Sequence, residues 1–275
     1  VSLDLLVVRE AAEKAAGDAA SLINDFQRQG NWSVSLKSDA SPVTEVDVAS
    51  EKCIKAILTA AIPEAGFYGE ETGISKSTAA TSQSIRWLVD PIDGTKSFIR
   101  GMRYFSTQIA FEMDGVLCVG VSNAPAYGER LVAVKEQGVW LNQKSVRCSD
   151  VTTLADAFLS SGNLGTLARD TGAWSRYGKL VNSVRRVRGY GDFCHYHQLC
   201  CGQTDLIVES DVNILDIAAL VVGIREAGGI ITDLTGAAVD ENTTSVLAAC
   251  SEELHQEALS LIDFDKANVT RLSNS

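Results

Sequence analysis

The chain has 275 residues, 45% apolar and 21% charged, and 24 Lys and Arg against 35 Asp and Glu give a formal charge of -11. This excludes a disordered chain and is enough for a large core, in one big domain or two tightly joined ones. The acidic balance, with no basic stripe interleaved with aromatics, argues against a nucleic-acid partner, and no apolar run reaches the ~20 residues of a bilayer span.

Residues 3 to about 28 are Ala-rich, with charges recurring among Leu, Val and Ile, which predicts a helix ending at Gly30. Its early acids read as an amphipathic helix rather than a signal peptide, so a cytoplasmic protein is expected; a targeting segment removed ahead of residue 1 is compatible with this. A polar segment with Lys37, Ser38 and Asp39 follows. Thr44, Asp47, Cys53, Ile54, Ile57 and Leu58 then suggest a second helix ending near Pro63, with Glu51 and Lys55 paired on its exposed side. Gly69-Glu70-Glu71-Thr72-Gly73 lies in the next connection, before a Ser/Thr/Ala surface loop over 75–84.

From 86 to 142 the pattern changes to strands, at 86–89, 105–111, 116–122, 130–135 and 138–141, with a hairpin signal at Asp114-Gly115. A mixed sheet backed by the two helices is expected, within an N-terminal α+β domain of residues 1–150. Residues 151–275 alternate short strands (157–160, 184–187, 205–208, 229–234, 245–249) with helices (162–177, 192–201, 214–227, 251–262), a C-terminal α/β domain. The seven cysteines are odd in number and form no CxxC pair, as in a reduced protein with packed thiols.

Four acids stand out. Asp90 and Asp93 flank Pro91-Ile92 directly after the apolar Trp87-Leu88-Val89, Glu70 precedes them, and Asp216 sits among Ile214, Leu215, Ile217 and Leu220. Carboxylates so near apolar sequence need a positive partner, and all-oxygen donors, the Ile92 carbonyl included, favour Mg²⁺. The alternative is an Asp-rich turn capping the next helix. Gly94 permits a sharp turn; Thr95 and the amides after Gly94 suit an anion, or Thr95 is simply a cap. His195 and His197 are tempting as acid–base groups but fit packing or surface better, and His255 reads as surface.

At these motifs the chain resembles the inositol monophosphatase superfamily of magnesium-dependent phosphomonoesterases. The resemblance rests on Gly69-Glu70-Glu71, on Trp87 to Thr95, and on Leu215-Asp216-Ile217-Ala218-Ala219 leading to Glu226-Ala227-Gly228-Gly229. It implies an α+β fold, the layered αβαβα sandwich of the inositol monophosphatase/fructose-1,6-bisphosphatase type, whose C-terminal domain completes the active site. It further implies two or three Mg²⁺ ions held by Glu70, Asp90, Ile92, Asp93 and Asp216. Thr95 and Glu70 would activate water with support from Asp47, and the Gly94 and Thr95 amides would bind phosphate. Leu215 stands where the family often has Trp.

Within the superfamily, Lys96 to Gly101, Asn123 to Arg130 and Arg188-Gly189-Tyr190-Gly191-Asp192-Phe193 resemble the histidinol-phosphate phosphatase branch. This implies Arg188, Asp192, Glu209 and Asp216 on the substrate side, in histidine biosynthesis, with a small phosphorylated metabolite as partner. A homodimer and lithium sensitivity are further implications. The rivals are an inositol-1-phosphate or broad sugar-phosphate phosphatase and a catalytically silent scaffold of the same fold.

Overall fold

Asp4 caps the first helix, α1 (Leu5–Gln29), by accepting from the Leu6 amide, and Gly30 ends it in the left-handed conformation. The structure, a computed structural model, describes residues 3–30, 32–37, 42–75 and 84–264; Ser38, Asp39 and the 76–83 part of the expected loop lie outside them. By its contacts the chain divides into two compact units. One comprises Val1–Lys144 with Leu215–Gly223, the other Ser145–Ile214 with Ile224–Ser275.

In the first unit a short antiparallel pair, β1 (Val34–Leu36) and β2 (Pro42–Thr44), leads into α2 (Glu45–Ala61). An eight-stranded sheet follows from β3 (Gly66–Gly69), β4 (Gly73–Ser75), β5 (Ile85–Asp93), β6 (Ser106–Met113), β7 (Val116–Ala124), β8 (Glu129–Val134), β9 (Gly138–Leu141) and β10 (Lys144–Ser145). Its order is β10-β9-β8-β7-β6-β5-β3-β4; β3 and β5 run parallel and the other described pairings are antiparallel. The short helix α3 (Thr95–Ile99) follows β5. The alanines predicted a helix, and they also set its packing: Ala11, Ala12, Ala15, Ala16 and Ala19 are buried in one core cluster with Trp87, Val89, Ile109, Phe111, Val119 and Val121. Small side chains let the α1 backbone approach the sheet closely while the larger apolar residues of β5–β7 fill the layer.

The second unit holds a five-stranded sheet built from β11 (Phe158–Gly162), β12 (Arg186–Arg188), β13 (Leu206–Ser210), β14 (Ile230–Thr232) and β15 (Ser245–Ala249) in the order β12-β11-β13-β15-β14. Its helices are α4 (Leu164–Arg169), α5 (Thr171–Ser183), α6 (Asp192–Cys200) and α8 (Glu252–Ile262), while α7 (Ile214–Glu226) lends residues 215–223 to the first unit. The single helix expected over 162–177 is two. Asp170 leaves helical geometry at φ -95°, ψ 110° and its carboxylate accepts from the Ala173 amide, so it caps a new helix instead of continuing the old one. All seven cysteines are free thiols, five of them buried. No helix among the described residues is long and apolar enough to cross a membrane.

Candidate active site

Asp90 and Asp93 are three residues apart, a spacing that would aim them at opposite faces of a regular strand. The strand does not stop at Val89 as its composition suggests; it runs on through Pro91 to Asp93, with a bulge. Asp90 pairs with Gln108 and Asp93 with Ser106, so three steps on β5 oppose two on β6. The extra residue cancels the alternation and turns both carboxylates to one side of the sheet. Pro91 has no N–H to lose at such a point, and its carbonyl accepts from the Thr107 hydroxyl at 2.9 Å. Asp90 Oδ1 accepts from the Ile92 amide at 2.9 Å and Asp93 Oδ2 from the Ser106 hydroxyl at 3.2 Å, which fixes both side chains.

Asp216 joins them from α7. Ligand oxygens of Asp90, Asp93 and Asp216 all lie within 4.8 Å of one another. Helix and sheet meet so closely that a Cβ on Gly120 of β7 would stand 2.3 Å from the Ala219 carbonyl oxygen, one helical turn beyond Asp216. Asp90 is 2% exposed. Burial, then the charges of Glu70, Asp93 and Asp216, push its carboxyl well above the ordinary range. Such a convergence of oxygen donors opposes itself without a cation and suits a hard divalent one.

Thr95 follows Gly94, whose φ of 89° and proximity to the Tyr104 carbonyl (2.7 Å from where a Cβ would be) both require glycine. The Thr95 hydroxyl lies 3.0 Å from Asp47 Oδ1 and 3.0 Å from the Ile92 carbonyl, so one proton is shared between two acceptors. Asp47 is fully buried and completes a capping box with Thr44, accepting from its amide at 2.8 Å and its hydroxyl at 2.5 Å. Burial raises the Asp47 carboxyl above its ordinary value, while the hydrogen bonds from Thr44 and Thr95 work the other way.

Glu70 lies outside the 4.8 Å cluster of the three aspartates but still shares a side-chain hydrogen bond with Asp90. Lys37 reaches Glu70 and Glu71 at 2.7 Å each; burial opposes its charge, but those two partners hold it well above the ordinary lysine value. Glu51, expected on an exposed helix face with Lys55, is fully buried. Its carboxylate accepts from the amides of Glu71 and Thr72 at 2.8 and 2.9 Å, clamping the turn that carries Glu70. The turn amides lack strand partners and take an acceptor, and two such bonds to a buried carboxylate outweigh an exposed ion pair. Lys55 turns instead to the Phe67 ring. Lys37 and Glu51 were not singled out as site residues, and only the charge of each was visible beforehand.

The remaining expected residues lie in the second unit. Arg188, at the end of β12, is exposed and donates to the Val187 carbonyl. Glu209 is 1% exposed on β13. Its Oε1 accepts from the Asp192 amide at 3.2 Å, and its Oε2 lies 3.0 Å from His195 Nε2 and 2.7 Å from the Tyr196 hydroxyl. Asp192 begins α6 with φ 45°, a left-handed conformation that few side chains other than Asn and Asp tolerate. Burial, then the Glu209 charge, lifts its carboxyl to about 6, with His195 opposing. His195 and His197 are buried. His255 is not on the surface: it is 2% exposed, facing the Thr232 hydroxyl, and burial lowers its pKa.

Residues 4–266 match the inositol monophosphatase family. The chain is 38% identical over 235 residues to a histidinol-phosphatase of Mycobacterium tuberculosis, covering 84% of this chain and 88% of that one. It is 31% identical over 249 residues to an inositol-1-monophosphatase of Rhizobium meliloti, covering 87% and 89%. The solved inositol monophosphatase of Zymomonas mobilis superposes with a TM-score of 0.80 at 31% identity, over 96% of this chain and all of that one. The chain therefore belongs to the inositol monophosphatase family, whose helix-flanked sheets it shares. Its activity class is metal-dependent phosphomonoester hydrolysis, and the clustered Asp90, Asp93 and Asp216 fit a divalent cation.

Proposed function

We propose that this chain hydrolyses L-histidinol phosphate to L-histidinol and phosphate, serving histidine biosynthesis. The observation that carries the choice is the turn at Asp192, an acid braced by a second buried acid, Glu209. Above about pH 6 Asp192 is a carboxylate, which attracts the cationic amine and imidazole of histidinol by charge, whereas a neutral polyol would offer it hydroxyl hydrogen bonds alone. Histidinol-phosphatases among the relatives support the same substrate.

Asp90, Asp93 and Asp216, with Glu70 and the Ile92 carbonyl, would hold Mg²⁺. Bound there, the metal would supply an acidified water and neutralise charge on the departing alkoxide. Thr95 orients the attacking water through its hydroxyl. Asp47 fixes that hydroxyl, and Glu70 takes up the proton released. The Gly94 and Thr95 amides, at the start of α3, bind the phosphoryl oxygens, since the first N–H groups of a helix lack internal acceptors. Arg188, Asp192 and Glu209 are assigned to the alcohol. A homodimer inhibited by lithium is expected on the family's pattern.

The second reading is an inositol-1-phosphate phosphatase, favoured by the inositol-1-monophosphatases among the relatives. Side-by-side Mg²⁺-dependent assays separate the two. The larger kcat/KM is expected for histidinol phosphate, and a larger value for the inositol ester refutes the first reading.

A further inference from the structure

The Tyr190–Gly191–Asp192 turn is gripped at both ends by one buried network. The Tyr190 amide donates to the Ser160 hydroxyl at 3.3 Å, and that hydroxyl lies 3.3 Å from His195 Nδ1. His195 Nε2 lies 3.0 Å from Glu209 Oε2, while Glu209 Oε1 accepts from the Asp192 amide. One set of proton positions satisfies every link. Ser160 donates to Nδ1, the ring donates from Nε2, and Glu209 accepts from His195, Tyr196 and the Asp192 amide.

The surrounding backbone leaves room for this carboxylate and for little else. A Cβ on Gly162 would sit 2.2 Å from Glu209 Oε1 and 2.6 Å from the Gly191 Cα, and one on Gly191 would sit 3.5 Å from the same oxygen. Ser160, His195 and Glu209 are each at most 1% exposed, whereas Tyr190 is 41% exposed and Asp192 is only half-buried. The less buried of the two acids is thus the one at the strained position, and the groups that hold its turn are buried. Burying these polar groups costs desolvation that their hydrogen bonds must offset, and a network with every link made restricts the geometry of its members.

We infer that His195 and Tyr196 are positioning residues for alcohol recognition: through Glu209 and Ser160 they hold the 190–192 turn so that the Asp192 carboxylate is presented to the substrate's cationic group. The inference deepens the proposed function and rests on it. Glu209, assigned to the alcohol, then has a second role as the hub that orders Asp192. The half-buried Asp192 supplies the charge.

The test uses the full-length protein with Mg²⁺ and two esters, L-histidinol phosphate and inositol-1-phosphate. Tyr196→Phe removes one hydroxyl, His195→Phe removes both ring nitrogens, and His195→Gln keeps an N–H donor; circular dichroism checks that each folds. Losing a hydrogen bond to a charged hub should raise KM for histidinol phosphate by roughly tenfold in His195→Phe and by less in Tyr196→Phe and His195→Gln. kcat should stay within about threefold, because the phosphoryl chemistry is not touched. The preference between the esters should shift by the same factor as that KM.

In an Asp192→Asn background, which tolerates the positive φ, His195→Phe and Tyr196→Phe should produce no further shift in preference. Equal losses on both esters, or a shift that adds in full to that of Asp192→Asn, would overturn the inference. A wild-type preference for the inositol ester would sink the substrate assignment alone. Coupling between positions 192 and 195 is still read from the ratio of the two esters.

Discussion

Gly120→Ala reaches the metal-ligand cluster without altering any acid in it. The new methyl would lie 2.3 Å from the Ala219 carbonyl oxygen and 3.0 Å from its Cα and carbonyl carbon, all of them backbone atoms that cannot rotate away. An ordinary contact needs about 1 Å more than the nearest of these, so α7 must move off β7 by about that much. Asp216 lies one turn from Ala219 and moves with it, away from Asp90 and Asp93. A misplacement of about 1 Å in a reacting constellation costs on the order of 100-fold in rate, and overpacking costs about 1–3 kcal/mol of stability. Steady-state kinetics over a Mg²⁺ series should show a fall in kcat/KM of that order and a higher Mg²⁺ requirement, beside a thermal shift of a few degrees. Gly178→Ala in α5, where nothing lies within 4 Å of the new methyl, is the control and should gain up to about 1 kcal/mol from helix propensity. Wild-type turnover and Mg²⁺ dependence in Gly120→Ala would refute the claim that this contact sets the place of Asp216.

Asp93→Asn should abolish Mg²⁺-dependent turnover with the fold intact, and differential scanning calorimetry should show two opposite effects. Without metal the variant melts above the wild type, because one of the charges crowding Asp90 is gone. With Mg²⁺ at about 100 times its Kd the wild type gains about 2.7 kcal/mol, a gain the variant lacks; a metal response equal to the wild type's would contradict the ligand role. Asp192 supplies a pH signature. Its native carboxyl holds a proton to about pH 6, against 3.8 ordinarily, so between those values the native state binds more protons than the unfolded one. Stability from this group is therefore greatest below about pH 4 and falls as pH rises to 6, by at most about 3 kcal/mol and less for the part of the side chain that stays wet. Urea titrations of Asp192→Asn should show that decline removed, and an unchanged pH slope would count against the buried setting described for Asp192.

The elements were legible wherever one periodicity ran long enough. The alanine stripe of α1, the short apolar runs of β6–β9 with the Asp114-Gly115 turn between two of them, and the apolar run of α7 are all plain in the sequence. Asp216 was legible as well, since an acid amid Ile214, Leu215 and Ile217 has few structural excuses. The bulge was not, because it is a relation between β5 and a partner strand that no spacing within Asp90–Asp93 contains. Glu51 misled for a related reason: Lys55 four residues on looks like its partner, while its true partners are amides of Glu71 and Thr72 in another element. His255 misled because the acids around it in sequence mark the exposed side of α8, and it lies on the other side.

The return of residues 215–223 to the first unit has a consequence for how the protein is made. A ribosome adding roughly 5–20 residues per second needs on the order of ten seconds to pass from Asp93 to Asp216. Throughout that interval the nascent chain owns two of the three clustered aspartates and lacks the helix that closes on Gly120. Completion of the three-aspartate cluster is thus a late event in biogenesis, reached only by chains read through past residue 216. A prematurely terminated product can carry the whole Asp90–Thr95 motif and still lack that third aspartate.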